Sequence, residues 1–142
     1  MNEKGLTLIE VLASIVILSI IGVSLLTFFV QSARSNNLSK TMMDATYVAQ
    51  SYIEDINNLN KSSSTPTNIT VLGDKITNTG FVIDTSPSTG CSSCYKKNLM
   101  GNNRFVHVKL TNQSDSLGKV LVKVFTGTKE EAQMEMLISW KK

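Results

Sequence analysis

Few residues in this chain combine type and spacing in a way that could do chemistry. Cys91 and Cys94 stand in Gly90-Cys91-Ser92-Ser93-Cys94-Tyr95, a C-x-x-C. That spacing serves a redox centre, half of a zinc site or a small disulfide loop. A redox centre needs a βαβ context and a helix N-terminus that depresses the thiol pKa. The surroundings, a Pro/Ser/Gly/Asn-rich stretch from Thr85 to Asn103, suggest neither. Zinc needs two further ligands, and the chain offers one histidine, His107, and scattered carboxylates. His107 alternates to the face opposite Val106 and Val108, so it is expected to meet solvent. Asp115 lies in a loop too poor in carboxylates for a calcium site and reads better as a solvated turn. No nucleophile with a base, no paired catalytic carboxylates and no phosphate-cradling glycine loop is visible. The expectation is a protein that is not an enzyme, with no catalytic residue, no metal and no cofactor.

Glu10 is a different case. From Leu6 to Val30 it is the only formally charged residue; the rest is Leu, Ile, Val, Phe, Ala, Gly, Ser and Thr. As a helix this run extends about 37 Å at 1.5 Å per residue, and about 20 apolar residues suffice to cross a bilayer. A carboxylate in such a run is costly unless it finds a partner or lies near the interface. A cleaved secretory signal fits less well, because the leader is very short and no Ala-x-Ala site follows the run.

The full pattern is a short charged leader ending in Gly5, then Leu6-Thr7-Leu8-Ile9-Glu10-Val11-Leu12, then a long apolar helix. It resembles the class III signal of type IV pilins and pseudopilins. The resemblance implies cleavage between Gly5 and Leu6 by a membrane-embedded prepilin peptidase, and N-methylation of Leu6. The first mature residue in that family is usually Phe, and Leu6 departs from this. Glu10 becomes the fifth mature residue, and the resemblance makes it an assembly residue. A neighbouring subunit, shifted along a filament axis, presents its N-terminal amine to the Glu10 carboxylate. A buried charge is tolerated when paired, so Glu10 would set the register of assembly. The resemblance also implies a cytoplasmic leader and an extracytoplasmic C-terminal domain. The balance of Lys4 against Arg34 and Lys40 does not decide this by itself. With the domain outside, a disulfide between Cys91 and Cys94 is the favoured state of the pair.

Around these residues the chain reads as one long helix and a small domain. Leu38, Met42, Ala45, Ala49, Tyr52, Ile56 and Leu59 recur at spacings of three and four, one apolar stripe that a following core would bury. No Pro falls between Leu6 and Leu59, so a single helix is expected across that range, half in the membrane and half amphipathic. Residues 60–68 form a linker, and the period then changes to two. Ile69-Thr70-Val71 reads as a short strand. Further strands are expected at Gly80–Asp84, Phe105–Leu110, Lys119–Phe125 and Glu135–Trp140, with turns at Asp115–Gly118 and Thr126–Lys129. The fold class is α+β: a long N-terminal helix packed on an antiparallel sheet of three or four strands. The segments are a leader at 1–5, a membrane and assembly helix at 6–30, an amphipathic half at 31–59 and a β domain at 60–142.

The net charge of +3 is mild and survives loss of residues 1–5, which removes one Glu and one Lys. There is no basic tail to indicate nucleic-acid binding by long-range charge. The expected role is structural: a minor pilin or pseudopilin in a pilus-like filament or in a secretion or DNA-uptake pseudopilus. The stretch Val48-Ala49-Gln50-Ser51-Tyr52-Ile53-Glu54 favours the minor class by resemblance. Expected partners are other pilin subunits, prepilin peptidase, the membrane and an inner-membrane assembly platform. No small-molecule substrate is expected, and DNA enters only indirectly, in a competence system. The alternatives are a single-span anchored binding or sensor domain that does not polymerise, and an anchored thiol oxidoreductase resting on Cys91 and Cys94.

Overall fold

Helix α1 spans Leu8–Lys61, 54 residues with no Pro to interrupt them. The computed structural model of the chain describes residues 7–62, 68–85, 91–101 and 103–140. Two compact units are present, Met1–Lys40 and Thr41–Lys142, and α1 contributes residues to both.

In the first unit the apolar run of α1 is exposed along its length and long enough to cross a membrane. Its hydroxyls need no outside partner. Ser14, Ser19, Ser24 and Thr27 each donate to the carbonyl four residues earlier, at 2.7 to 3.0 Å. This back-bonding satisfies polar side chains inside the helix, which is what a hydrocarbon surrounding requires.

In the second unit α1 supplies Ala45, Ala49, Ile53 and Ile56 to the core. Val48, Tyr52 and Leu59 pack at its margin. The expected stripe is therefore present from Ala45 onward. Leu38 and Met42 stay about half exposed and are not part of this core.

Residues Ile69–Asn78 form a second helix, α2, and this corrects the strand expected at Ile69-Thr70-Val71. Local capping outweighs the β-branched residues. Asn68 is extended and its side-chain oxygen accepts from the Val71 amide at 2.9 Å, which ties the first turn. Leu72, Gly73 and Ile76 then fall on one buried face.

The sheet has five strands, one more than the upper expectation: β1 Val82–Ile83, β2 Cys94–Asn98, β3 Arg104–Ser114, β4 Leu117–Thr126 and β5 Lys129–Ser139. They lie in chain order and every neighbour is antiparallel. The unexpected strand, β2, carries Cys-Tyr-Lys-Lys-Asn, which has no apolar alternation. It forms because β3 offers it a template, with Tyr95 opposite Val108 and Lys97 opposite Val106. Strands β3 and β4 contain the ranges the alternation implied, extended at both ends, and β5 starts earlier than expected and ends at Ser139, one residue short of Trp140. Val106, Val108 and Leu110 face Val124, Val122 and Val120 across the β3–β4 ladder, all buried. Fully burying one such side chain contributes about 1.5–3 kcal/mol.

Two close approaches set the packing. The Tyr95 hydroxyl lies against Gly73 of α2, and the Trp140 ring lies against Gly118 of β4. Neither position has room for a Cβ.

Candidate functional site

Glu10 sits in the first turn of α1, and the residue that positions it is Thr7. The Thr7 amide donates to Glu10 Oε2 at 2.9 Å, and the Thr7 hydroxyl donates to the same oxygen at 3.0 Å. The Thr7 carbonyl accepts from the amides of Glu10 and Val11 at 3.0 and 3.2 Å. Thr7-x-x-Glu10 is thus the signature of a capping box, in which a residue in the first turn reaches back to the N-cap amide. It explains why the helix starts at Leu8, and a negative side chain there also suits the helix dipole. Sequence reading placed Glu10 in the motif but missed Thr7 as its partner; the S/T-x-x-E spacing was the available signal. Both donors converge on Oε2, and no bond to Oε1 is present among the described residues. Gly5 and Leu6, the expected cleavage and methylation residues, lie outside the described residues.

Cys91 and Cys94 are joined by a disulfide. Cys94 opens β2 and is buried, and its carbonyl accepts from the Asp84 amide at 2.8 Å. The bridge therefore closes the approach to β2 beside β1.

His107 does alternate away from the valines, but it is not in solvent, contrary to expectation. Its side chain is 14% exposed, as is that of Asp84, and His107 Nε2 lies 3.4 Å from Asp84 Oδ2. The Nε2 atom is buried and makes no hydrogen bond. Burial pushes the His107 pKa below its ordinary value, opposed by Asp84 and assisted by Lys123 and Lys96. His107 thus packs over the Asp84 carboxylate instead of facing solvent.

Several other charges of the sheet are arranged in pairs. Arg104 Nε and Nη2 donate to Glu131 Oε2 at 3.2 and 3.0 Å. Burial acts to raise the Glu131 pKa, but the Thr126 hydroxyl and Arg104 outweigh it and hold the carboxyl below its usual range. Lys119 pairs with Glu135 at 2.6 Å and Lys123 with Glu130 at 2.8 Å. Among the described residues no group of three or more His, Cys, Asp or Glu could hold a metal ion. Asp115 and Ser116 form the two-residue turn between β3 and β4. A cleft of about 330 Å³ runs between Tyr52, Phe81 and Lys97. Its cation is already engaged, with Lys97 Nζ donating to the Thr79 carbonyl at 2.8 Å.

Sequence reading also missed Asn60. It is the one buried polar residue of the α1 face, and its Nδ2 donates to the Ser139 carbonyl at 3.1 Å. No periodicity flags it, because it continues the apolar stripe with a polar side chain.

Comparison with known proteins adds one finding. Residues 1–26 match the family described as the prokaryotic N-terminal methylation motif. Neither the curated proteins nor the solved structures contain a match to the chain. The matched segment includes the Gly5–Leu6 junction, Thr7, Glu10 and most of the apolar run. An apolar helix of this length with that motif fits membrane anchoring and points to a structural protein. This class III signal supports a place for the chain in the pilin and pseudopilin family, as a type IV pilin-like protein processed by prepilin peptidase.

Proposed function

We propose that the chain is a minor pilin or pseudopilin, a structural subunit of a type IV pilus-like filament or of a secretion or DNA-uptake pseudopilus. The observation that carries this reading is the methylation motif over residues 1–26, with Glu10 as the sole charge of the apolar run. Residues 1–5 are the leader, held in the cytoplasm. Prepilin peptidase cuts after Gly5 and Leu6 receives the methyl group. Residues 6–30 anchor the subunit and enter the filament, 31–59 continue the helix, and the β domain at 60–142 lies outside the membrane. An inner-membrane platform assembles the subunits.

The capping box supports a two-state role for Glu10. Cleavage after Gly5 leaves the Leu6–Thr7 peptide bond intact, so the Thr7 amide and hydroxyl still hold Oε2 in the mature chain. The carboxylate is then not bare while the subunit waits in the membrane. Oε1 is left for the methylated amine of a neighbouring subunit, and a charge removed from water requires such a partner.

Intact mass and N-terminal sequence of the membrane-extracted protein test this reading. N-methylated Leu6 at the start of the chain is the expected result. A chain still beginning at Met1 in cells with active peptidase refutes the filament reading. A Glu10→Ala chain that is cut and co-assembles normally refutes the role of Glu10.

A further inference from the structure

Two successive carbonyls of the Cys91–Cys94 ring tie down the strands on either side of it. Ser93 O accepts from the Leu110 amide of β3 at 2.9 Å, and Cys94 O accepts from the Asp84 amide, just past β1, at 2.8 Å. The disulfide closes this ring, so the bond that fixes its backbone also aims both carbonyls. Strand β1 has little else to hold it. It has two residues, paired with Lys96 and Tyr95. Their side chains bury little, Val82 being 70% and Ile83 56% exposed. Phe81, buried in the core, anchors the chain just before them.

The register places one cluster of side chains beside the ring. Val82 pairs with Lys96, Lys96 with His107, and Cys94 with Lys109. Side chains alternate along a strand, so Asp84, Cys94 and His107 share the face opposite Val106 and Val108. The helices pack on the valine face, through Ala49, Ile53 and Leu72. Side chains on the other face need a different cover, yet Cys94 is 1% exposed and the His107 side chain 14%. Asp84 supplies part of that cover, with Oδ2 at 3.4 Å from His107 Nε2. The charged groups that act on His107 are Asp84 from the end of β1, Lys96 from β2 and Lys123 from β4. Burial is the largest influence and holds its pKa below the ordinary value.

We propose that the Cys91–Cys94 disulfide is a redox-sensitive clamp on β1. Closed, it holds Asp84 over His107; reduced, it frees Val82–Asp84 from the sheet. The step is thiol–disulfide exchange with a dithiol. One thiolate of the reagent attacks Cys91, the more exposed of the two cysteines, and Cys94 leaves as a thiolate that takes up a proton. The second thiol of the reagent then displaces Cys91 and closes the reagent into its own cyclic disulfide. The S–S bond of the protein is exchanged for two thiols, with two electrons and two protons supplied by the dithiol. The Ser93 and Cys94 carbonyls are then no longer held by a ring, and the Asp84 amide loses its fixed acceptor. With β1 away, the backbone groups of Cys94 and Lys96 that faced it become an open sheet edge. The clamp thus decides whether β2 is an inner strand or an edge. It lies wholly within the β domain and stands whether or not copies assemble into a filament.

The test uses the full-length, detergent-extracted protein, oxidised or treated with excess dithiothreitol, with its free thiols counted. Amide hydrogen exchange and the NMR titration of the His107 imidazole are the readouts. On reduction, exchange at the Asp84 amide should accelerate by about tenfold through local opening. The His107 pKa should rise toward its ordinary 6.5. The Val122 amide, in a strand paired on both sides, should keep its protection. Re-forming the bridge should reverse both changes, and Cys91→Ser should reproduce the reduced protein without reagent. If Asp84 and His107 are unchanged with both thiols free, the clamp is overturned. Equal acceleration at Val122 overturns it as well, because the bridge then staples the whole domain instead of one strand.

Discussion

Replacing Gly73 by Ala sets two effects against each other, and the structure decides between them. Gly73 lies in the middle of α2, where Ala is the better helix former by about 0.8–1 kcal/mol. The added methyl, however, would overlap the Tyr95 hydroxyl and crowd its ring carbon. Tyr95 is buried and fixed in β2 opposite Val108, so its ring has little room to yield. Overpacking of this kind costs about 1–3 kcal/mol. The net expectation is a loss of about 1 kcal/mol, or a fall in Tm of about 4–8 °C for a domain of this size. Trp140 is the only tryptophan and packs on the core of the β domain. Its fluorescence therefore reports unfolding of that domain and not of the membrane helix. The control is Tyr95→Phe, which removes the atom nearest the new methyl. In that background Gly73→Ala should cost less, with a coupling of at least about 0.5 kcal/mol. A Gly73→Ala chain with a raised Tm in the Tyr95 background would refute the argument, and with it the tight docking of α2 on β2.

Three further outcomes follow from the charges and the bridge. The pKa of His107 is depressed in the folded state, so its contribution to stability is present above its ordinary value of 6.5 and is lost as pH falls below it. The urea midpoint should drop between pH 7.5 and pH 5, and His107→Gln should flatten that slope. Arg104→Met leaves Glu131 without its guanidinium and should cost about 1.5–3 kcal/mol at neutral pH. Because the Glu131 pKa lies below its ordinary 4.5, the difference from wild type should shrink as the pH falls through 4.5 and below. Cys91→Ser opens a four-residue ring, for which loop entropy allows at most about 2 kcal/mol. It should lower Tm modestly and leave cleavage at Gly5 untouched, whereas an oxidoreductase would lose its activity.

Much of the fold was legible because its signals are local. A run of 25 residues with one charge can be read without knowing what surrounds it, and so can the strict alternation of Val106, Val108 and Leu110 or of Val120, Val122 and Val124. Strand β2 was not legible, since Tyr95 and Lys97 become strand residues only when β3 is beside them. The Ile69-Thr70-Val71 segment misled for a related reason. Its β-branched residues suggest a strand, but the Asn68 cap and the later positions Leu72 and Ile76 select a helix.

The sequence by itself determined the membrane-length helix, the methylation motif over residues 1–26, the place of Glu10 in it, and the α+β layout. These depend on spacing along one chain. Only the tertiary structure decided that Thr7 holds Glu10 Oε2, that His107 is buried over Asp84, and that Asn60 reaches Ser139. Each of these depends on where an atom of one residue meets another, which rotamer, register and packing specify and residue order does not. Thr7 and Glu10, three residues apart, are close enough for the pairing to have been read in advance. Asn60 and Ser139 are 79 residues apart, and only folding brings them together.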